Sequence, residues 1–226
     1  MLIGNGVALG LECHYKQQRN WPTSDPFKTA STYVVNNYVK ESDKSLKGVQ
    51  ELVRVGIELG MDTSLGLTEV LAVEQFLGGR IKPDLIGRYY DGSLVVIDHK
   101  VKTNLDDRYL ERELLSYDTS NQFFQYGYFV AKEYGEPVST VFAHMIVVAP
   151  VPKTYLHPVT MSQERLDFWL QGVIPTWDLM KAIEEGGPRE ARFSSCQGRY
   201  GPCDMAPGCH TLHGDESTFN LFYDAI

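Results

Sequence analysis

The chain has no apolar run near the ~20 residues that a membrane-crossing helix needs, and its N-terminus lacks the basic stretch and apolar core of a secretory signal. These absences argue against a membrane or secreted protein and point to the cytoplasm. No low-complexity tract, internal repeat or linker-like segment breaks the 226 residues, so a single domain over residues 1–226 is expected. A basic excess is missing as well. The net charge is −8, which rules out bulk attraction as the main route to a nucleic acid. Cysteine is scarce, four in all, and three of the four fall within residues 196–209. What is present suffices for a well-cored domain, since 43% of residues are hydrophobic and 12% aromatic.

The densest signal is GRIKPDLIGRYYDGSLVVIDHKVKT, residues 79–103. Asp91-Gly92 is a hairpin signal between two strand-like runs. Side chains alternate along a strand, so Asp98 and Lys100 share a face and His99 points the other way. The turn decides where Asp84 goes. A two-residue loop sets Asp84 opposite His99. A three-residue loop over residues 90–92, with Gly92 left-handed in a bulge, pairs Tyr89 with Ser93 and Asp84 with Asp98; this second register is the expected one. Two carboxylates and an ammonium at a sheet edge suit a divalent cation, a phosphate and an attacking water. Solvated charges at the ends of an ordinary hairpin are the alternative.

After Thr103 comes a largely polar stretch, then a helical run over residues 121–134 in which Gln122 and Tyr126 lie four apart, on one face. Asp84, then Asp98-His99-Lys100, then Gln122-Phe-Phe-Gln-Tyr126 resembles the PD-(D/E)xK nuclease superfamily, specifically its RecB-like branch with helicase-linked, phage and CRISPR-adaptation iron-sulfur exonucleases. The resemblance spans about residues 4–209. It implies an α/β fold, with a central mixed β-sheet flanked by helices (a restriction-endonuclease-like core over about residues 4–185) and a C-terminal cysteine loop. It also implies Mg2+ or Mn2+ on Asp84 and Asp98, Lys100 beside the attacking water, and Gln122 and Tyr126 orienting the site or touching DNA. Gln125 either shares that role or is a surface amide. Thr103 is at most a support to the site.

Relatives of this kind open on a helix reading G-x-x-x-H-x-x-L-E. Here Gly4, Leu11 and Glu12 match, but Ala8 stands at the histidine position. Glu12 or His14 either reaches the metal or is a solvated side chain. Glu74, in the apolar run of residues 70–77, is a further candidate metal ligand or else an outward residue of an alternating strand. The resemblance therefore leaves an active enzyme, a weakened one, or a DNA-binding or assembly subunit that has lost its chemistry. Met1 falls almost inside the opening helix, so a phage-type member without the usual N-terminal segment is expected.

Cys196-x6-Cys203-x5-Cys209 sits among Gly, Pro and Tyr without helical or strand period and reads as a ligand loop. In the RecB-like branch, three such cysteines join one near the N-terminus around an iron-sulfur cluster. Cys13 is the remaining cysteine here, so a cluster on Cys13, Cys196, Cys203 and Cys209, an incomplete cluster, zinc with His210 or His213, and free thiols all stay open. DNA is the expected partner, with a recombination or helicase protein as a second. Lys100, Lys102, Arg108 and Arg112 line one entrance for DNA, or else form a solvated face with Asp106, Asp107 and Glu111.

Elsewhere, residues 27–40 and 46–59 read as helices, with Gly60 as a stop. Residues 138–148 read as a buried strand beside the hairpin. Thr160-x-x-Gln163 is a capping box opening an amphipathic helix that Pro175 should kink or break.

Overall fold

The computed structural model describes residues 1–38, 44–77, 81–184, 197–198 and 201–202. The chain divides into two compact units, Met1–Asp167 and Phe168–Ile226. The first opens with helices α1 (Leu2–Gln18), α2 (Pro26–Asn37) and α3 (Leu46–Asp62), followed by strands β1 (Leu67–Val73), β2 (Leu85–Tyr89) and β3 (Leu94–Lys102). Helices α4 (Asp107–Tyr117) and α5 (Asn121–Tyr134) come next, then β4 (Val138–Val147) and β5 (Lys153–Thr160). Helix α6 (Gln163–Glu184) starts in the first unit and runs into the second, where β6 (Gln197–Gly198) and β7 (Gly201–Pro202) form a short antiparallel pair.

The sheet has the order β1-β2-β3-β4-β5. Every neighbouring pair is antiparallel except β3 and β4, which run parallel. A parallel neighbour needs a crossover long enough to return the chain to the same edge, and α4 with α5 supplies it. The result is the expected α/β fold with a mixed central sheet flanked by helices. One face is covered by the first three helices, whose Val7, Leu11, Val53 and Ile57 join Val95, Ile97 and Ile146 of the sheet in one apolar cluster. Helix α5 packs beside β4, with Phe123 and Val130 fully buried.

Local chemistry fixes the helix starts. Asp25 accepts from the Lys28 N–H at 2.7 Å, ahead of Pro26 in the first turn of α2, and Ser45 caps α3 through the Gly48 N–H at 3.1 Å. Helix α3 runs through Gly60, the expected stop, to Asp62. That glycine serves packing instead, since a Cβ there would stand 2.6 Å from Leu11 Cδ2. Strand β1 ends at Val73, earlier than expected, because Glu74 takes a left-handed φ of 51° and turns the chain out of the sheet.

Two elements carry weak sequence signals. Helix α4 forms where the polar stretch stood: a short stripe of Leu110, Leu114 and Tyr117 turns inward, Asp106 caps the helix on the Arg108 N–H at 3.0 Å, and Lys102–Glu113 at 2.5 Å ties it to β3. Strand β5 contains Pro158, which an edge strand tolerates. Helix α6 is capped by Ser162 on the Arg165 N–H at 3.2 Å rather than by Thr160, and it continues through Pro175. Cys13 is buried on α1, whereas Cys196, Cys203 and Cys209 lie outside the described residues. No helix among the described residues is long and apolar enough to cross a membrane.

Candidate active site

The turn between β2 and β3 sets the site. Gly92 adopts φ 82°, its N–H donates to the Tyr89 carbonyl at 2.9 Å, and the Tyr89 N–H donates to the Ser93 carbonyl at 3.1 Å. The Asp91 carboxylate accepts from the Ser93 N–H at 2.9 Å and closes the turn. The register that follows, Leu85 opposite Ile97 and Arg88 opposite Leu94, is the one the three-residue loop dictates. It brings Asp84, the residue before β2, level with Asp98. The His99 N–H donates to Asp84 Oδ2 at 2.6 Å and fixes that carboxylate.

Helix α5 delivers the polar partners. Phe123 is buried between the Tyr117 and Tyr126 rings, which fixes the helix's rotation so that Gln122 and Tyr126 face β3. Gln122 Nε2 donates to Asp98 Oδ1 at 2.9 Å and to the Tyr126 hydroxyl at 2.6 Å. The Tyr126 hydroxyl donates to the same Asp98 oxygen at 3.2 Å, and Lys100 Nζ donates to Gln122 Oε1 at 3.0 Å. An ammonium can only donate, so the amide's orientation follows from chemistry. Asp98 Oδ2 is buried and takes no directed hydrogen bond; the Lys100 ammonium stands 2.7 Å away as an ion pair.

Burial raises both carboxylic acids above their ordinary range. For Asp84 the next causes are the charges of Asp98 and Glu74, opposed by the His99 N–H. For Asp98 burial outweighs the opposing Lys100 ammonium. Two like charges held in a weakly solvated place resist joint ionisation. Tyr126 is likewise raised by burial and by Asp98.

Asp84, Asp98, Lys100, Gln122 and Tyr126 thus come together. Glu74 sits beside them, its N–H donating to the Asp84 carbonyl at 3.0 Å, but its carboxylate is ion-paired with Lys82. Among the described residues no three His, Cys, Asp or Glu side chains form a group that could hold a metal ion. Ala8 lies half-buried on α1, Glu12 pairs with Lys16, and His14 contacts Gln18 at 3.0 Å. Gln125 makes none of the site's contacts. Thr103 is exposed beyond the end of β3. Lys102 and Arg108, which the sequence leaves either at a DNA entrance or on a solvated face, have acidic partners in Glu113 and Asp106.

Lys82 and His144 were missed. Lys82 lies two residues before Asp84, a spacing that alternation places on one face. His144 interrupts an apolar strand, and its Nδ1 meets His99 Nδ1 at 2.9 Å on the sheet face opposite Asp98. His99 also stacks on Tyr15 with ring centroids 5.6 Å apart. Burial lowers both histidines, His144 to about 4.

This is an α/β sheet protein with a buried and a half-buried carboxylate side by side, a lysine and a glutamine–tyrosine helix at one sheet face. Comparisons with protein-family models and with curated protein sequences find no match. Among solved structures, a protein of Eubacterium rectale that carries the name "putative exonuclease" overlays with a TM-score of 0.50 at 12% identity, covering 92% of this chain and 74% of that one. The two share a fold. The structure of SSO0001 overlays at 0.28 with 11% identity, covering 77% of this chain and 74% of that one, too loosely to support any argument.

Proposed function

We propose that the chain is a metal-dependent deoxyribonuclease of the PD-(D/E)xK kind. It would hydrolyse phosphodiester bonds at DNA ends, as an exonuclease or end-processing enzyme of recombination, repair or phage DNA metabolism. The observation that carries this reading is the pairing of half-buried Asp84 with buried Asp98, with Lys100 at 2.7 Å from Asp98 Oδ2. The name of the Eubacterium rectale protein agrees with it.

A divalent cation fits these residues. Asp98 Oδ2 is buried without a directed hydrogen bond, and two crowded carboxylates need positive charge. Magnesium commonly takes one or two protein carboxylates and completes its shell with water and substrate phosphate. Asp84 and Asp98 would hold the ion, which supplies Lewis acidity and a more acidic bound water. The chain's own residues do the rest. Gln122 and Tyr126 occupy Asp98 Oδ1 and leave Oδ2, beside the Lys100 ammonium, as the oxygen open to an ion. The His99 N–H fixes Asp84. Lys100, held by Gln122 and Asp98, offers an ammonium to a phosphate oxygen and orients the attacking water.

Ala8 supports a second reading, a DNA-binding or assembly subunit that keeps the fold and has lost its chemistry. Degradation of end-labelled linear single- and double-stranded DNA with Mg2+, and separately with Mn2+, tests the first reading. Wild type should cut and Lys100→Ala should lose at least about a hundredfold in rate, the scale of a removed electrostatic stabiliser. Folded protein that cuts with neither ion, while Ala8→His also stays silent, would leave the second reading.

A further inference from the structure

The site contains a cation that the proposed chemistry does not use. Lys82 stands on the extended segment leading to Asp84, and its ammonium is ion-paired with the Glu74 carboxylate. Its main chain lies against the polar cluster, the Lys82 carbonyl 3.5 Å from the Tyr126 hydroxyl. Glu74 is pinned beside Asp84 by its N–H, in a left-handed conformation that a glutamate adopts only when its surroundings enforce it. Glu12 of α1 and Asp84 add their fields at the same ammonium. The Lys82 side chain is 46% exposed and that of Glu74 15%, so the lysine can swing away while the glutamate stays.

Resting on the reading of Asp84 and Asp98 as metal ligands, we infer that Lys82 is the resident counter-ion of the metal-free site, a positioning residue that holds the Glu74 carboxylate and competes with the incoming divalent cation. A tethered ammonium offsets clustered carboxylates without the entropy cost of capturing a free ion. A divalent cation brings twice the charge and can displace it. Lys82 has a flexible stem and a compact charge, so once released it can turn to a phosphate at the cut site. Cation binding is then weak on the bare protein and strengthened when a nucleic acid gives Lys82 another partner. This coupling follows from removing repulsion between two positive charges at close range.

The test is Mn2+ binding to the nucleic-acid-free protein, followed by the electron paramagnetic resonance signal of free Mn2+. Wild type is compared with Lys82→Met, which keeps the stem, and Lys82→Arg, which keeps the charge, with thermal melts showing that each is folded. Lys82→Met should bind Mn2+ roughly tenfold more tightly, as expected for removing one nearby positive charge at a partly exposed site, and Lys82→Arg should match wild type. Structural damage would weaken binding, not tighten it. Unchanged or weaker binding by Lys82→Met, with wild type still binding, would overturn the role of Lys82 and leave the metal site standing. Absence of binding in all three chains would overturn the metal-ligand reading and this inference with it.

Discussion

Asp84 and Asp98 each sit where burial resists ionisation, and each makes the other's charge harder to bear. Their raised values mean that the folded protein holds protons which the unfolded chain releases. Stability from this source is fully present below the ordinary carboxylate value of about 3.9 and is lost as pH rises toward the raised value. The buried histidines act oppositely: lowered in the fold, they contribute stability above about pH 6.5 that is lost as pH falls. Asp84→Asn retains an oxygen for the His99 N–H and removes one charge of the pair. In metal-free buffer its Tm should exceed that of wild type, with a gap that widens from pH 5 to pH 8 toward about 1–2 kcal/mol, while nuclease activity disappears. The histidine contribution is common to both chains and cancels in the difference. A gap independent of pH would contradict the repulsion.

The hairpin and the helix pair use glycine for different physical reasons. At Gly92 a Cβ would have nothing within 4 Å, so only the φ of 82° penalises a side chain. At Gly56 a Cβ would stand 2.6 Å from Val7 Cγ2 and 3.1 Å from Val148 Cγ1, which forces α3 off α1. Gly92→Ala is therefore expected to cost about 1 kcal/mol through the backbone alone, and Gly56→Ala about 1–3 kcal/mol through overpacking. Urea denaturation measures both, and equal costs would show that the helix contact yields easily. The turn matters for chemistry as well. Its bulge is what places Asp84 across from Asp98, so the residue that lengthens the loop by one also assembles the carboxylate pair.

Across the whole chain, acidic residues outnumber basic ones and the cations nearest the site are already engaged. Among the described residues, Lys100 is paired with Asp98, Lys102 with Glu113 and Arg108 with Asp106. Recognition of DNA would thus rest on the metal-bound phosphate and on released lysines more than on a general field. Cys196, Cys203 and Cys209 lie outside the described residues, whereas Cys13 is buried on α1. A RecB-like member is expected to yield purified protein carrying iron with acid-labile sulfide, lost when Cys203 is changed to Ser. Zinc without iron would favour ligation by Cys196, Cys203, Cys209 and a histidine of the same run, and absence of both would leave free thiols.

The sequence by itself determined the pieces that depend on local rules. Alternation put Asp98 and Lys100 on one face, the four-residue spacing put Gln122 with Tyr126, and Asp91-Gly92 specified the turn whose length sets the register. It also marked the mixed α/β order through the two-residue and helical periods of its apolar runs. Helix α4 and strand β5 escaped because their signals are weak: the short stripe of Leu110, Leu114 and Tyr117 is set among charged residues, and β5 contains a proline that only an edge position accommodates. Only the tertiary structure decided what the ionisable residues meet. It turned Glu74 toward Lys82, paired His99 with His144 beneath the site, and set Glu12 against Lys16. Contacts of that kind join residues distant along the chain, and a charge finds its partner through burial and distance in the fold, which no local spacing encodes.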